Sequence, residues 1–332
     1  MRTRFIILYP LLLCCAVSAG QSVDSLKALL ASSREDTAKV NLLLHIGLLY
    51  RNTDPQLAIP YTEQAKELSS QLNYQDGLAR AYKYTGLAYY DQSKYIEAMD
   101  NYNHALQVFK AMNNKVGISN IENNMGVIYK EQGLDSKAID YFFQSLKNAE
   151  ETGDALRITT ALNNIGSVYQ HKPGTYKKAL EYYLRALPQS MKLGEGDLIG
   201  ATLGNIGEIY LAAKNSDSAL YYFKKQEQAY RSNSTSNISY ALNNIGKVYN
   251  QKKEYAVALE YHKQAYDSAV ALNSTLYMTQ SLEELGNTYD STGDYKKALE
   301  VRTKAQVLAK EINSNYDLKD IYNGLAFTYS KL

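Results

Sequence analysis

Apolar residues along this chain fall on steps of three, four and seven, the spacing that places them on one stripe of an α-helix. The stripes come in pairs, and the pairs repeat. Gly-x-x-Tyr recurs at Gly47/Tyr50, Gly86/Tyr89, Gly126/Tyr129, Gly166/Tyr169, Gly207/Tyr210, Gly246/Tyr249 and Gly286/Tyr289, and Ala326/Tyr329 continues the series. Successive steps are 39, 40, 40, 41, 39, 40 and 40 residues, a regularity that fixes the fold before any single motif is considered. An apolar residue precedes most of these glycines, as at Ile46, Met125, Ile165, Ile206, Ile245 and Leu285. About twelve residues later stands an alanine (Ala98, Ala138, Ala179, Ala219, Ala258, Ala298). Four further on comes a ring at Tyr102, Phe142, Tyr183 and Phe223, replaced by His262 and Arg302 in later units. Glycine and alanine mark close approach of two helices, and the rings fill the space beside them.

Turn residues split each unit into two helices. Inside units stand Thr53-Asp54-Pro55, Gly133, Lys172-Pro173-Gly174, Asn215-Ser216-Asp217 and Thr292-Gly293-Asp294. Between units stand Asp76-Gly77, Gly153-Asp154, Gly194-Glu195-Gly196, Ser232-Asn233-Ser234 and Asn313-Ser314. The 41-residue step carries its extra residue at the Pro-Gly turn, where a loop absorbs it.

The order Gly-x-x-Tyr, then Ala, then an aromatic resembles the tetratricopeptide repeat from about Asn41 to the C-terminus. The period is near 40 rather than 34, and the proline that closes the family's second helix is missing. Both features suit the longer repeats of kinesin light chain and related peptide-binding adaptors, whereas the Gly-x-x-Tyr grammar argues against HEAT and armadillo repeats. The resemblance implies an all-α fold, an α-α superhelix (TPR solenoid) of about seven helix-turn-helix repeats plus terminal helices. No single hairpin can bury its apolar stripe, so neighbours stack into a continuous core. In that family the first helices line a concave binding surface, which implies a non-enzymatic scaffold for a protein or peptide segment.

Composition sharpens this picture in three places. Tyrosine is abundant, with 31 copies against 6 Phe and no Trp, which suits rings wedged between helices with a hydroxyl reaching water. Residues 1–20 read as a secretory signal, with Arg2 and Arg4 before an apolar run from Phe5 to Val17 and small residues at Ser18, Ala19 and Gly20. Thirteen apolar residues are too few to span a bilayer. Leu13 and Cys14 stand where a lipobox needs small residues, so lipidation is not expected. The mature chain is then periplasmic or secreted, without direct membrane insertion. Both cysteines lie inside the signal, which leaves no disulfide, thiol nucleophile or thiolate metal site in the rest. Without the signal, 34 basic residues balance 34 acidic ones, so no electrostatic footprint for nucleic acid exists.

Candidate binding residues follow a second stripe. Asn124, Asn164, Asn205 and Asn244 each stand two residues before the repeat glycine, with Asn123, Asn163 and Asn243 one earlier. Asparagine is a poor interior helix former, so its recurrence needs a reason. Carboxamides both donate and accept, so a row of them can pair with a peptide backbone, as such ladders do in related adaptors. They can equally bond one another and fix the repeat geometry, and the two roles are compatible. The stripe continues to Ser167 and His171, to Glu208 and to Lys247. It fails at Lys83-Tyr84 and Glu283-Glu284, which places a groove in the central repeats. His45, His104, His171 and His262 show no zinc-ligand spacing, so no metal or other cofactor is expected. Gly194-Glu-Gly196 lacks the preceding strand of a phosphate loop. No nucleophile–base constellation accompanies the scattered carboxylates. The triplets at Asn233, Asn237 and Asn273 match a glycosylation pattern that is common by chance.

The ends differ from the repeats. Residues 21–40 read as a capping helix ahead of seven repeats over 41–312. Residues 313–332 begin a partial eighth repeat or a C-terminal cap, an edge open to self-association. The whole also resembles the extracytoplasmic repeat regions of Bacteroidetes sensor proteins. The expectation is therefore a binding scaffold, or else a sensor ectodomain whose histidine kinase or transcriptional output lies elsewhere.

Overall fold

A computed structural model describes residues 22–51, 53–172, 174–232 and 237–332. The expected signal, Pro173 and the Asn233 turn and triplet lie outside these residues. Among the described residues there are sixteen helices and no strand. They fall into two compact units divided after Asn114. The first holds α1 (Val23–Ser32), α2 (Thr37–Arg51), α3 (Pro55–Gln71), α4 (Gln75–Asp91) and α5 (Tyr95–Ala111). The second holds α6 (Lys115–Glu131), α7 (Asp135–Thr152), α8 (Ala155–Gln170), α9 (Tyr176–Leu193), α10 (Gly196–Ala212) and α11 (Ser216–Ser232). It continues through α12 (Ile238–Gln251), α13 (Tyr255–Ala271), α14 (Thr275–Thr292), α15 (Tyr295–Glu311) and α16 (Asn315–Tyr329). Helices pair as α2/α3, α4/α5 and so on to α14/α15, giving two hairpins in the first unit and five in the second, with α1 and α16 single. Within each unit, first helices also touch first helices, as α2 does α4 and α12 does α14.

The glycine of Gly-x-x-Tyr makes each hairpin close. A Cβ added at Gly86, Gly126, Gly166, Gly207 or Gly246 would lie under 3.0 Å from the ring of Tyr102, Phe142, Tyr183, Phe223 or His262 on the partner helix. Those rings are 0–1% exposed, and the alanine one turn earlier is fully buried in every case. The repeat tyrosine then stacks on a tyrosine just before the ring position. The pairs are Tyr50–Tyr61, Tyr129–Tyr141, Tyr169–Tyr182, Tyr210–Tyr222 and Tyr249–Tyr261, at centroid separations of 5.3–5.7 Å. Lysines lie over several of these rings, including Lys178 over Tyr169 at 4.4 Å. This accounts for the tyrosine excess: a stacked pair needs apolar faces inside and a polar edge outside.

One expectation about the ends is corrected. The capping helix read over residues 21–40 is interrupted. α1 stops at Ser32, Ser33 is extended, and the Asp36 carboxylate accepts from the amides of Ala38 (2.9 Å) and Lys39 (3.0 Å) to start α2. Asp36 caps the second helix, so residues 37–40 belong to the first hairpin. Leu26 alone on α1 is fully buried. Between hairpins the chain turns through a left-handed residue, either glycine, as at Gly153 and Gly194, or asparagine, as at Asn73, Asn113, Asn273 and Asn313.

Two glycines with different tasks test this account. Gly207→Ala drives a methyl group into the Phe223 ring and should cost about 1–3 kcal/mol in circular-dichroism unfolding. Gly133 has a left-handed backbone with nothing within 4 Å of an added Cβ. Gly133→Asn meets only the strain of that backbone, which asparagine itself adopts at Asn73 and Asn113, and should cost about 1 kcal/mol or less.

Candidate binding site

In the second unit the first helices α10, α12, α14 and α16 lie in sequence and share one open face. A cavity of about 320 Å³ opens between them. Helical spacing selects its walls: Tyr240, Asn243 and Lys247 from α12, and Gln280, Glu283 and Glu284 from α14. From α16 come Tyr316, Asp317 and Asp320, and from α10 comes Glu208. Glu208 accepts from the Tyr240 hydroxyl at 2.5 Å and from Gln170 Nε2 at 2.9 Å. Burial, with Glu208 beside it, pushes the Tyr240 phenol far above its usual range, so it stays a donor. Lys247 Nζ lies 3.0 Å from Glu284 Oε1. Burial works to raise the Glu284 carboxyl, but Lys247 and His262 more than offset it and hold it below the usual range.

Behind the cavity stand two residues that depart from the ring pattern. Arg302 is 1% exposed and occupies the ring position under Gly286. Its Nε reaches both Glu283 oxygens at 3.2 Å, Nη2 donates to Asn287 at 2.6 Å, and Nη1 donates to Thr328 of α16 at 2.6 Å and to Asp290. Gly324 of α16 leaves the guanidinium its room. Burial pushes the Glu283 carboxyl up to about 7 against the pull of Arg302. One hairpin earlier, fully buried His262 contacts Asn243 Oδ1 through Nδ1 at 2.9 Å. Ser281 donates to the Tyr277 carbonyl and so accepts from Asn243 Nδ2 at 2.9 Å. That leaves Asn243 Oδ1 as an acceptor and puts the imidazole proton on Nδ1. Burial depresses His262 to about 4.

The structure distributes the expected stripe unevenly. Glu208 and Lys247 line the cavity together. Asn164 is half-buried and donates to Asn123 Oδ1 of the preceding first helix at 2.8 Å. Asn163 and Asn243 make the same kind of rung, to Thr202 and Ser281. Ser167 donates to the Asn164 carbonyl within its own helix at 2.8 Å. His171 is the exposed C-terminal cap of α8, outside the cavity. Asn124 and Asn205 are half-buried away from the cavity. Asn244 is corrected as a ligand residue: it is 1% exposed and donates inward to Gln226 Oε1 of α11 at 3.2 Å. Gly204 makes space for that glutamine.

The residues missed were Tyr240, Glu283, Glu284, Tyr316, Asp317 and Asp320. A signal existed, because Glu283-Glu284 holds the register of Asn163-Asn164 and Asn243-Asn244. The break in the ladder marks the cavity rather than its end. Among the described residues no three His, Cys, Asp or Glu side chains are grouped to hold a metal ion, and no helix is long and apolar enough to cross a membrane.

Antiparallel hairpins closed by a glycine under a ring, with a polar cavity across successive first helices, define a helical-repeat scaffold. Residues 157–232 and 237–311 match the sequence model of the tetratricopeptide repeat family, and the hairpins within those residues are tetratricopeptide repeats. No curated protein sequence matches the chain. Among solved structures, BtubC (BKLC) from P. vanneervenii aligns with TM-score 0.59 at 18% identity, over 66% of this chain and 92% of its own. A Rap protein complexed with Competence and Sporulation Factor aligns with TM-score 0.58 at 17% identity, over 93% and 91%. The apo form of the quorum sensor NprR from B. thuringiensis gives TM-score 0.55 at 16% identity, over 92% of both chains. At such identities the likeness is one of fold.

The His262 arrangement has a pH signature. Its folded pKa of about 4 lies below the ordinary imidazole value of 6.5, so the unfolded chain takes up the proton first. Stability is therefore lost as pH falls from about 6.5 to about 4, by at most about 3 kcal/mol. The unfolding free energy of His262→Phe relative to the parent should be flat above pH 7 and shift toward the variant across that window. A flat difference throughout would mean that the imidazole protonates in place.

Proposed function

We propose that this protein is a binding scaffold, acting outside the cytoplasm, that holds a polypeptide segment on the first-helix face of its second unit. The observation that carries this reading is the cavity of about 320 Å³ whose walls come from four successive first helices. Its size is at the small end of ligand pockets, which run to about 300–1,000 Å³, so it takes a side chain or two of a longer segment. Tyr316, 77% exposed at its rim, offers an aromatic face beside carboxamide and carboxylate groups. The likeness to a Rap protein complexed with Competence and Sporulation Factor supports the use of such an array for capture.

Binding rather than catalysis fits the cavity's chemistry. Glu208, Glu283 and Glu284 are matched to Tyr240, Arg302 and Lys247, and none is poised against a nucleophile. The extracytoplasmic site of action rests on the charged and apolar pattern of residues 1–20. A second use of the same face, as the sensing part of a signalling protein, draws support from the likeness to the quorum sensor NprR. Both uses place the ligand in the same position.

The test is selection of a random displayed peptide library on the purified protein, with affinities measured by fluorescence anisotropy. Tyr316→Ala should weaken selected peptides at least about tenfold, or about 1.4 kcal/mol. Tyr221→Ala, on α11 away from the cavity and 54% exposed, should leave affinity unchanged. The opposite pattern, or a selection that yields no binder, removes this reading.

A further inference from the structure

Resting on that reading, we propose that the cavity between α10, α12, α14 and α16 receives a cationic side chain of the bound segment, the ammonium of a lysine or the guanidinium of an arginine. Five carboxylates line the cavity: Glu208, Glu283, Glu284, Asp317 and Asp320. Facing them is one cation, Lys247, already engaged by Glu284 at 3.0 Å. The guanidinium of Arg302 stands behind Glu283 and is divided among Glu283, Asp290, Asn287 and Thr328. Even with Glu283 only part-ionised near neutral pH, Glu208, Glu284, Asp317 and Asp320 outnumber Lys247 and leave the cavity a net negative wall. Acid and base balance in the chain beyond its first twenty residues, so this excess comes from placement rather than composition.

Three features say what kind of cation fits. The carboxylates are spread over the walls of a cavity of about 320 Å³, and no three of them group to hold a metal ion. A metal ion finds no converging ligands there, whereas an ammonium or guanidinium, each with several N–H donors, meets a different acceptor on each side. The internal partners leave acceptor capacity. An ionised carboxylate has about four lone-pair sites, and Glu208 spends two of them, on Tyr240 and Gln170. Asp320 is exposed on the rim and can still swing toward a ligand. Finally, Tyr316 on the rim gives a cationic stem the ring face on which ammonium and guanidinium groups rest. Lys247 sets the selectivity in reverse: it repels an incoming cation from the α12 side and directs it toward Glu208 and α16.

The experiment uses peptides recovered in the random-library selection, each resynthesised with every lysine as Nε-acetyl-lysine and every arginine as citrulline. Removal of charge should lower affinity for the parent protein at least tenfold, and raising the salt concentration should weaken only the charged forms. In the double variant Glu208→Gln/Asp320→Asn the charged peptides should lose at least tenfold, while the gap between charged and neutral forms narrows. Glutamine still accepts from Tyr240 but turns its amine toward Gln170 Nε2, so the unfolding temperature should fall by a few degrees while the protein stays folded. Lys247→Gln should tighten charged peptides, an effect of opposite sign that mere damage to the fold does not produce. Peptides that need Tyr316 yet bind equally well without their charges would overturn this inference and leave the polypeptide site standing. A selection that yields no binder would overturn both.

Discussion

Everything in this fold depends on one close approach, that of a glycine on the first helix to the side chain opposite it on the second, a large flat one in the hairpins from α4/α5 to α14/α15. A methyl group at that point would stand inside van der Waals contact, so the helices reach this distance only because the Cβ is absent. The alanine one turn away and the stacked tyrosines beside it follow from the same spacing. Once the hairpin is closed in this way, its first-helix residues keep a fixed register against those of the next hairpin. That register lets single amides, such as Asn163 on Thr202 and Asn243 on Ser281, bridge successive helices.

The cavity arises where this rule is obeyed in shape but broken in chemistry. His262 and Arg302 are flat enough to lie under glycine, yet each carries polar nitrogens that burial obliges to find partners. Asn243 answers the imidazole. Glu283, Asp290 and Asn287 answer the guanidinium, and with Thr328 they tie α16 to the preceding hairpin. On α14, opposite Arg302, Glu283 and Glu284 stand in the register where α8 and α12 carry paired asparagines. A polar substitution in the hairpin interior thus changes the chemistry of the open face without altering the backbone that presents it.

The repeat, its helical grammar and its turns were legible in the sequence because each is a local, recurring constraint on residue size and backbone shape. The site was only half legible. Glu208 and Lys247 sit on the stripe that periodicity predicts. Asn244 sits on it too but turns inward, since Gln226 enters through the space that Gly204 leaves. No local pattern reveals that a glutamine from another helix will claim an amide. Glu283 and Glu284 looked like the end of a ladder because their meaning comes from Arg302, nineteen and eighteen residues away, and from Lys247 on a different helix. The break between α1 and α2 was missed for a smaller reason: Asp36 acts as a cap within an otherwise uninterrupted helical pattern.

The ring position also bears on how such a chain diversifies. Because the side chain at that position lies inside its own hairpin, exchanging one hairpin for another moves a complete package, interior partner and exposed face together. Binding character in an array of this kind is then written repeat by repeat, like letters in a word. The hairpins carrying His262 and Arg302 are two adjacent letters that differ from their neighbours while sharing the same outline.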